Sequence, residues 1–197
     1  MRTHSGCSDK GAKTLQCLRS ASSSTLARAG SQLLDSRPTT LYLFAPVLDG
    51  DFIRTRPVEA FTIPLSNGSR AFSKVPILVG SNTNEGANWS ARISDGSANT
   101  SMANATEATV YNFLHGQYST LLRSAFDIAV NTGSESGPVL YPFGVYESYS
   151  LQAQQMYGEM RYICTAAMIA GAMKEAGIQQ VYQYQSVKFF HSMSECC

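Results

Sequence analysis

No window of this chain approaches the roughly 20 consecutive apolar residues that a membrane-spanning helix needs. The opening Met1-Arg-Thr-His-Ser-Gly also lacks the apolar centre of a signal peptide. The sequence is therefore expected to have no transmembrane segment and, as written, no export leader. A large excess of either charge sign is missing as well: Lys and Arg number 15 against 14 Asp and Glu, a net charge of +1. With those charges dispersed there is no basic face for nucleic acid and no polybasic anchor for a membrane surface. The expected partner is a small, neutral molecule. Histidine is scarce, with three copies at His4, His115 and His191, and no Cys-x-x-Cys pair occurs. Cys196 and Cys197 are vicinal and have no histidine at metal-ligand spacing, so no metal site is expected.

What the chain does contain is an ordinary globular composition over 197 residues, enough for one domain that buries roughly 70% of its unfolded surface. Apolar periodicity predicts helices over 12–19 and 22–34, with a break and cap region at 20–24. An extended segment over 41–46 and a turn at Asp49-Gly50-Asp51 come next, then a short helix or loop from Pro57. The apolar run Val75 to Val79 ends at Gly80 and hands over to Ser, Asn and Thr, which reads as a buried sheet strand leading into a polar loop that carries Glu85. Residues 90–106 read as a flexible surface loop. Helices are expected over 107–114, 119–129 and, longest of all, 151–176 with Gly177 as its stop. Val181 to Gln185 reads as a second sheet strand. Cys164 and the Met168, Ile169 and Met173 face of the long helix are expected in the core.

Two segments carry more than periodicity. Phe44-Ala-Pro-Val-Leu-Asp-Gly-Asp-Phe52 is succeeded by Lys74-Val-Pro-Ile-Leu-Val-Gly-Ser-Asn-Thr-Asn-Glu-Gly86. Together they resemble the "PVxDG" and "VPxLxGxNxxEG" segments of the type-B carboxylesterase and lipase family, the cholinesterase-like α/β-hydrolases. Gly6-Cys7 with Cys17-Leu-Arg-Ser20 also looks like that family's pattern. The resemblance implies an α/β fold, specifically the C-terminal portion of an α/β-hydrolase with an incomplete sheet and flanking helices. It spans residues 1–185, with 186–197 as an atypical tail. It further implies that Glu85 is the acid of a Ser-His-Glu triad, that Cys7 and Cys17 form a short-loop disulfide, and that the intact protein is a secreted, fungal-type hydrolase of small-molecule or lipid esters needing no cofactor. Glu85 has a plainer reading beside this one, as a solvated turn residue or a first-turn helix acid.

Ester hydrolysis of this kind needs a serine on a G-x-S-x-G elbow, and the chain has none. The nearest stretch, Gly133-Ser-Glu-Ser-Gly137, places Glu135 where the serine must be. Chain order in the fold is serine, acid, histidine, so the nucleophile is expected upstream of residue 1 and the chain alone is expected to be inactive. Only His191 comes after the acid; it is either the triad base or an exposed tail residue. Four Asn-X-Ser/Thr sequons, at Asn67, Asn88, Asn99 and Asn104, are candidate glycosylation sites. Trp89 is either packing for the acid loop or part of a substrate wall. The competing readings are a non-catalytic cholinesterase-like binding or adhesion module and a truncated gene product.

Overall fold

The computed structural model describes residues 4–7, 11–133 and 137–186. In chain order their elements are α1 (Ala12–Ser20), α2 (Ser23–Asp35), α3 (Pro57–Thr62), β1 (Ile77–Asn82), α4 (Glu107–Gln117), α5 (Arg123–Asp127), α6 (Tyr149–Gly158), α7 (Cys164–Glu175) and β2 (Val181–Ser186). Helices and a parallel strand pair thus make a mixed α/β chain. It divides into two compact units, Met1–Ala45 with Trp89–Pro142, and Pro46–Asn88 with Phe143–Cys197.

The first unit is helical. Ser22 accepts the Thr25 N–H at 3.2 Å and so starts α2, as the serine-rich break implies. Thr106 and Thr109 exchange side-chain to backbone hydrogen bonds and form a capping box for α4. Val110, Phe113 and Leu114 of α4, with Phe126, Val130, Ala29 and Ile93, are buried and make the core. Arg123 ties the start of α4 to α5 through Glu107 at 2.5 Å and Asp127 at 2.7 Å. The extended segment before Pro46 is pinned to the end of α4: Gln117 Nε2 donates to the Thr39 carbonyl at 2.7 Å, and its Oε1 accepts the Leu41 N–H at 2.9 Å. Cys7 and Cys17 are disulfide-bonded, with Cα atoms 5.8 Å apart, as the family resemblance implied.

Residues 90–106 differ from the expected flexible loop. A short 3₁₀ turn spans Ser90–Arg92, and Ser90, Ile93, Ala98 and Thr100 are buried. Side-chain to backbone bonds explain the order: Asp95 accepts the Ser97 N–H, Asn99 accepts the Ser101 N–H and donates to the Ile93 carbonyl, and the Ser90 and Thr100 hydroxyls pair at 2.6 Å. Polar composition here encodes local hydrogen bonding rather than solvation.

In the second unit β1 and β2 run parallel, with Ile77 opposite Val181 and Asn82 opposite Ser186. The first strand starts and ends later than the apolar run suggested. It is also less buried than a sheet-core strand: Leu78 is 69% exposed, because among the described residues this sheet has two strands. Gly80 lies beneath the Tyr184 ring, where a Cβ would stand 2.5 Å from the ring edge. The ring covers the gap a strand glycine leaves.

The expected single helix over 151–176 is instead three pieces. A π-helical segment, Glu159–Ile163, joins α6 to α7. The wider turn shifts the phase of the helix beyond it, which explains why Cys164 is exposed rather than in the core as periodicity indicated. Ala166, Ala170, Ala172 and Met173 take the buried face, while Met168 and Ile169 are half-buried. The helix ends at Gly177 as expected. Its φ is +88°, with Gly177 N–H bonding the Lys174 carbonyl and Ile178 N–H the Met173 carbonyl, a Schellman arrangement. Likewise α5 gives way to a π segment, Ile128–Thr132, rather than running as one helix from residue 119. Cys196, Cys197, His191 and Glu135 lie outside the described residues.

Candidate functional site

Strand β1 delivers the chain to a tight polar turn that carries Glu85. Its Oε1 accepts the Asn82 backbone N–H at 2.6 Å and the Asn82 side-chain amide at 3.2 Å. The carboxylate is therefore folded back over the end of its own strand and half-buried. One step on, Gly86 is buried against α6. A Cβ there would stand 1.7 Å from the Gln154 carbonyl oxygen, so no other residue fits without moving backbone. Gly158 faces it, with an ideal Cβ position 2.8 Å from the Gly86 nitrogen. A weak bond from Asn84 Nδ2 to Gln154 Oε1, 3.4 Å, adds a side-chain tie. Two facing glycines thus let the acid turn lie directly on the helix, and the turn's position is set by backbone rather than by flexible side chains.

The same edge of the sheet is where β2 ends. Thr83 N–H and Thr83 Oγ1 both donate to the Ser186 carbonyl, at 3.0 and 2.9 Å. The polypeptide therefore leaves β2 beside the first residue of the acid turn. A fixed carboxylate at the C-terminal end of a parallel strand can accept an imidazole N–H and stabilise the cationic ring.

Other residues singled out from the sequence take different places. His4 and His115 belong to the unit that does not hold Glu85; both are exposed, and His115 rests against the Tyr111 ring at 5.4 Å. Trp89 is half-buried and packed, meeting Tyr42 edge-on at 5.8 Å and lying under the Arg92 guanidinium at 5.4 Å. Asp49 is the turn former expected, its carboxylate accepting the Ile53 and Asp51 amides at 2.9 and 3.0 Å. Those bonds hold its pKa below the ordinary carboxylate value. Glu159, in the π segment, also acts on its surroundings: partial burial first, and then the Glu159 charge, push the Tyr146 phenol and the Cys164 thiol upward. Among the described residues no group of three His, Cys, Asp or Glu side chains is arranged to hold a metal ion. No helix among them is long and apolar enough to cross a membrane.

Glu85 is legible in the sequence, but the groups that hold it are less so. Asn82 sits inside the motif and is readable as a turn residue; Gln154 and Gly158 lie some 70 positions away on a helix. The available signal is Gly158 itself, since an interior helix glycine costs about 1 kcal/mol against alanine and so marks a close backbone approach.

Comparison with protein families matches the model described as "Carboxylesterase family" over residues 1–194. Comparisons with curated proteins and with solved structures return no match.

Proposed function

The chain belongs to the carboxylesterase family, and from that premise we propose that it carries the acid arm of a serine-dependent carboxylic-ester hydrolase. Glu85 is the acid. The observation that carries this reading is the Glu85 turn itself, bonded to Asn82 at the end of β1 and seated on the Gly158 backbone of α6. A turn held this way keeps its carboxylate in one place, which is what orienting an imidazole requires.

His191 is the base in this reading. It lies five residues beyond Ser186, a tether of at most about 18 Å from a carbonyl already bonded to Thr83. The family match runs past it, to residue 194. In the reaction the imidazole takes the serine hydroxyl proton as Oγ attacks the ester carbonyl, then returns it to the leaving alkoxide; Glu85 stabilises the imidazolium in between. The serine comes from polypeptide other than these 197 residues, because they contain no G-x-S-x-G. The substrates are small-molecule or lipid esters, and the intact protein is secreted; the Cys7–Cys17 disulfide supports an oxidising compartment.

The purified chain is accordingly expected to be inert toward aryl esters and to take no label from a fluorophosphonate that reacts with activated serines. Turnover above the buffer rate, abolished by that reagent, would show a nucleophile within these residues and sink the proposal.

A further inference from the structure

The four sequons are alike as sequence motifs and unlike in the fold. Asn67, Gly68 and Ser69 are all exposed on a short turn, with Asn67 Oδ1 accepting both the Ser69 N–H at 3.0 Å and the Ser69 hydroxyl at 2.6 Å. Asn104 and Thr106 are exposed too, just ahead of α4. In the other two the asparagines are exposed (Asn88) or half-buried (Asn99), but their sequons meet in a buried hydroxyl pair. Ser90, the hydroxyl residue of the Asn88 sequon, is buried and hydrogen-bonded to Thr100, which is the buried middle residue of the Asn99 sequon. Asn99 uses both ends of its amide, Nδ2 donating to the Ile93 carbonyl at 3.1 Å and Oδ1 accepting from Ser101 N–H at 3.0 Å. Asn88 has a left-handed backbone, φ +61°, a conformation in which asparagine is enriched.

We propose that Asn67 and Asn104 are the N-glycosylated asparagines of this chain, and that Asn88 and Asn99 are structural. Transfer requires the amide nitrogen to attack the anomeric carbon of an oligosaccharide carried on a lipid pyrophosphate. A C–N bond forms, the sugar–phosphate C–O bond breaks, the pyrophosphate leaves with the electron pair, and one amide proton goes to a base. The transferase must grip the Asn-X-Ser/Thr stretch with its hydroxyl accessible. At Asn67 only a local turn opens, and at Asn104 only the first turn of α4, which Thr106 caps. At Asn88 and Asn99 the Ser90–Thr100 pair and the residues buried around it must come apart, which costs much more. A glycan on Asn99 Nδ2 would also crowd the bond to Ile93. The assignment rests on the export that belongs to the proposed function and not on its ester chemistry, so either can fail alone.

The test is to express the full chain behind a cleavable leader in a glycosylating eukaryotic host. Glycans are released enzymatically in heavy-oxygen water, and the tagged asparagines are mapped by peptide mass spectrometry. The expected result is a tag at Asn67 and Asn104 in most molecules and none at Asn88 or Asn99. Asn67→Gln with Asn104→Gln should then run as a single unglycosylated band; these substitutions leave the Thr106 cap of α4 in place. A glycan on Asn88 or Asn99, or a bare Asn67 or Asn104 in molecules whose Cys7–Cys17 bridge is formed, overturns the assignment.

Discussion

Glu85 owes its position to neighbours that have almost no side chain. Gly86 and Gly158 allow the acid turn to touch α6, and either gains a clash when a methyl is added. The two clashes differ in size. At Gly86 the new carbon meets a backbone carbonyl at 1.7 Å, so Gly86→Ala should destabilise by about 1–3 kcal/mol or more, read as a shift in the urea midpoint. At Gly158 the gap is 2.8 Å, and the helix itself gains up to about 1 kcal/mol from alanine, so the net loss should be the smaller of the two. Equal losses would mean that the turn does not rest on α6 through its backbone. Asp49 gives a pH prediction at the same scale. Its folded pKa is depressed by the Ile53 and Asp51 amides, so the stabilisation of its turn is present above the unfolded value and is lost as pH falls through the folded one. A carboxyl-carbon NMR titration should place Asp49 below the ordinary aspartate range; a midpoint at or above it contradicts the bonding. Asp49 is legible because a short carboxylate before glycine marks a turn, and Glu85 is legible through the resemblance of its flanking segments to the family's motif. Gly158 is not legible as a partner, since nothing local tells which turn a helix glycine admits.

Most elements are readable from capping and periodicity, and the failures share a cause. Helices α1, α2 and α4 begin within a residue of where apolar periodicity puts them, α2 behind its serine-rich break, and α7 ends at the glycine that marks its stop. The π segments are invisible because one extra residue in a turn leaves apolar spacing almost unchanged while rotating everything downstream, as the exposure of Cys164 shows. The order of the 90–106 stretch is hidden because its Ser, Asn and Asp residues have a solvent-facing composition, yet they bond one another and the backbone. The disulfide belongs to this scale too, since it closes the short loop leading into α1. Replacing both partners in Cys7→Ser/Cys17→Ser should lower stability by about 2.5–3 kcal/mol, the chain-entropy value for a loop of this length. An unchanged denaturant midpoint would show that the unfolded chain is not loosened by losing the link.

At the scale of the whole molecule, the interleaving of two units from alternating stretches of chain leaves no mark in composition, because each unit draws on segments brought together only by folding. The pairing of β1 with β2 joins Ile77 to Val181 across more than 100 positions, and alternation alone cannot choose a partner at that distance. What is legible is the class of chemistry, through motifs around Glu85, and the structure adds how the Glu85 turn is held and that β2 ends at Ser186, bonded to Thr83. The central question is whether that acid works. The most direct measurement is kcat for an aryl ester with the chain joined to an upstream segment bearing the G-x-S-x-G elbow, comparing Glu85 with Glu85→Gln. The expected result is a loss on the order of 10³–10⁴-fold in kcat with little change in KM, since the acid acts on the imidazole rather than on substrate binding. A Glu85→Gln enzyme that retains full kcat would contradict the triad role and leave Glu85 a turn residue.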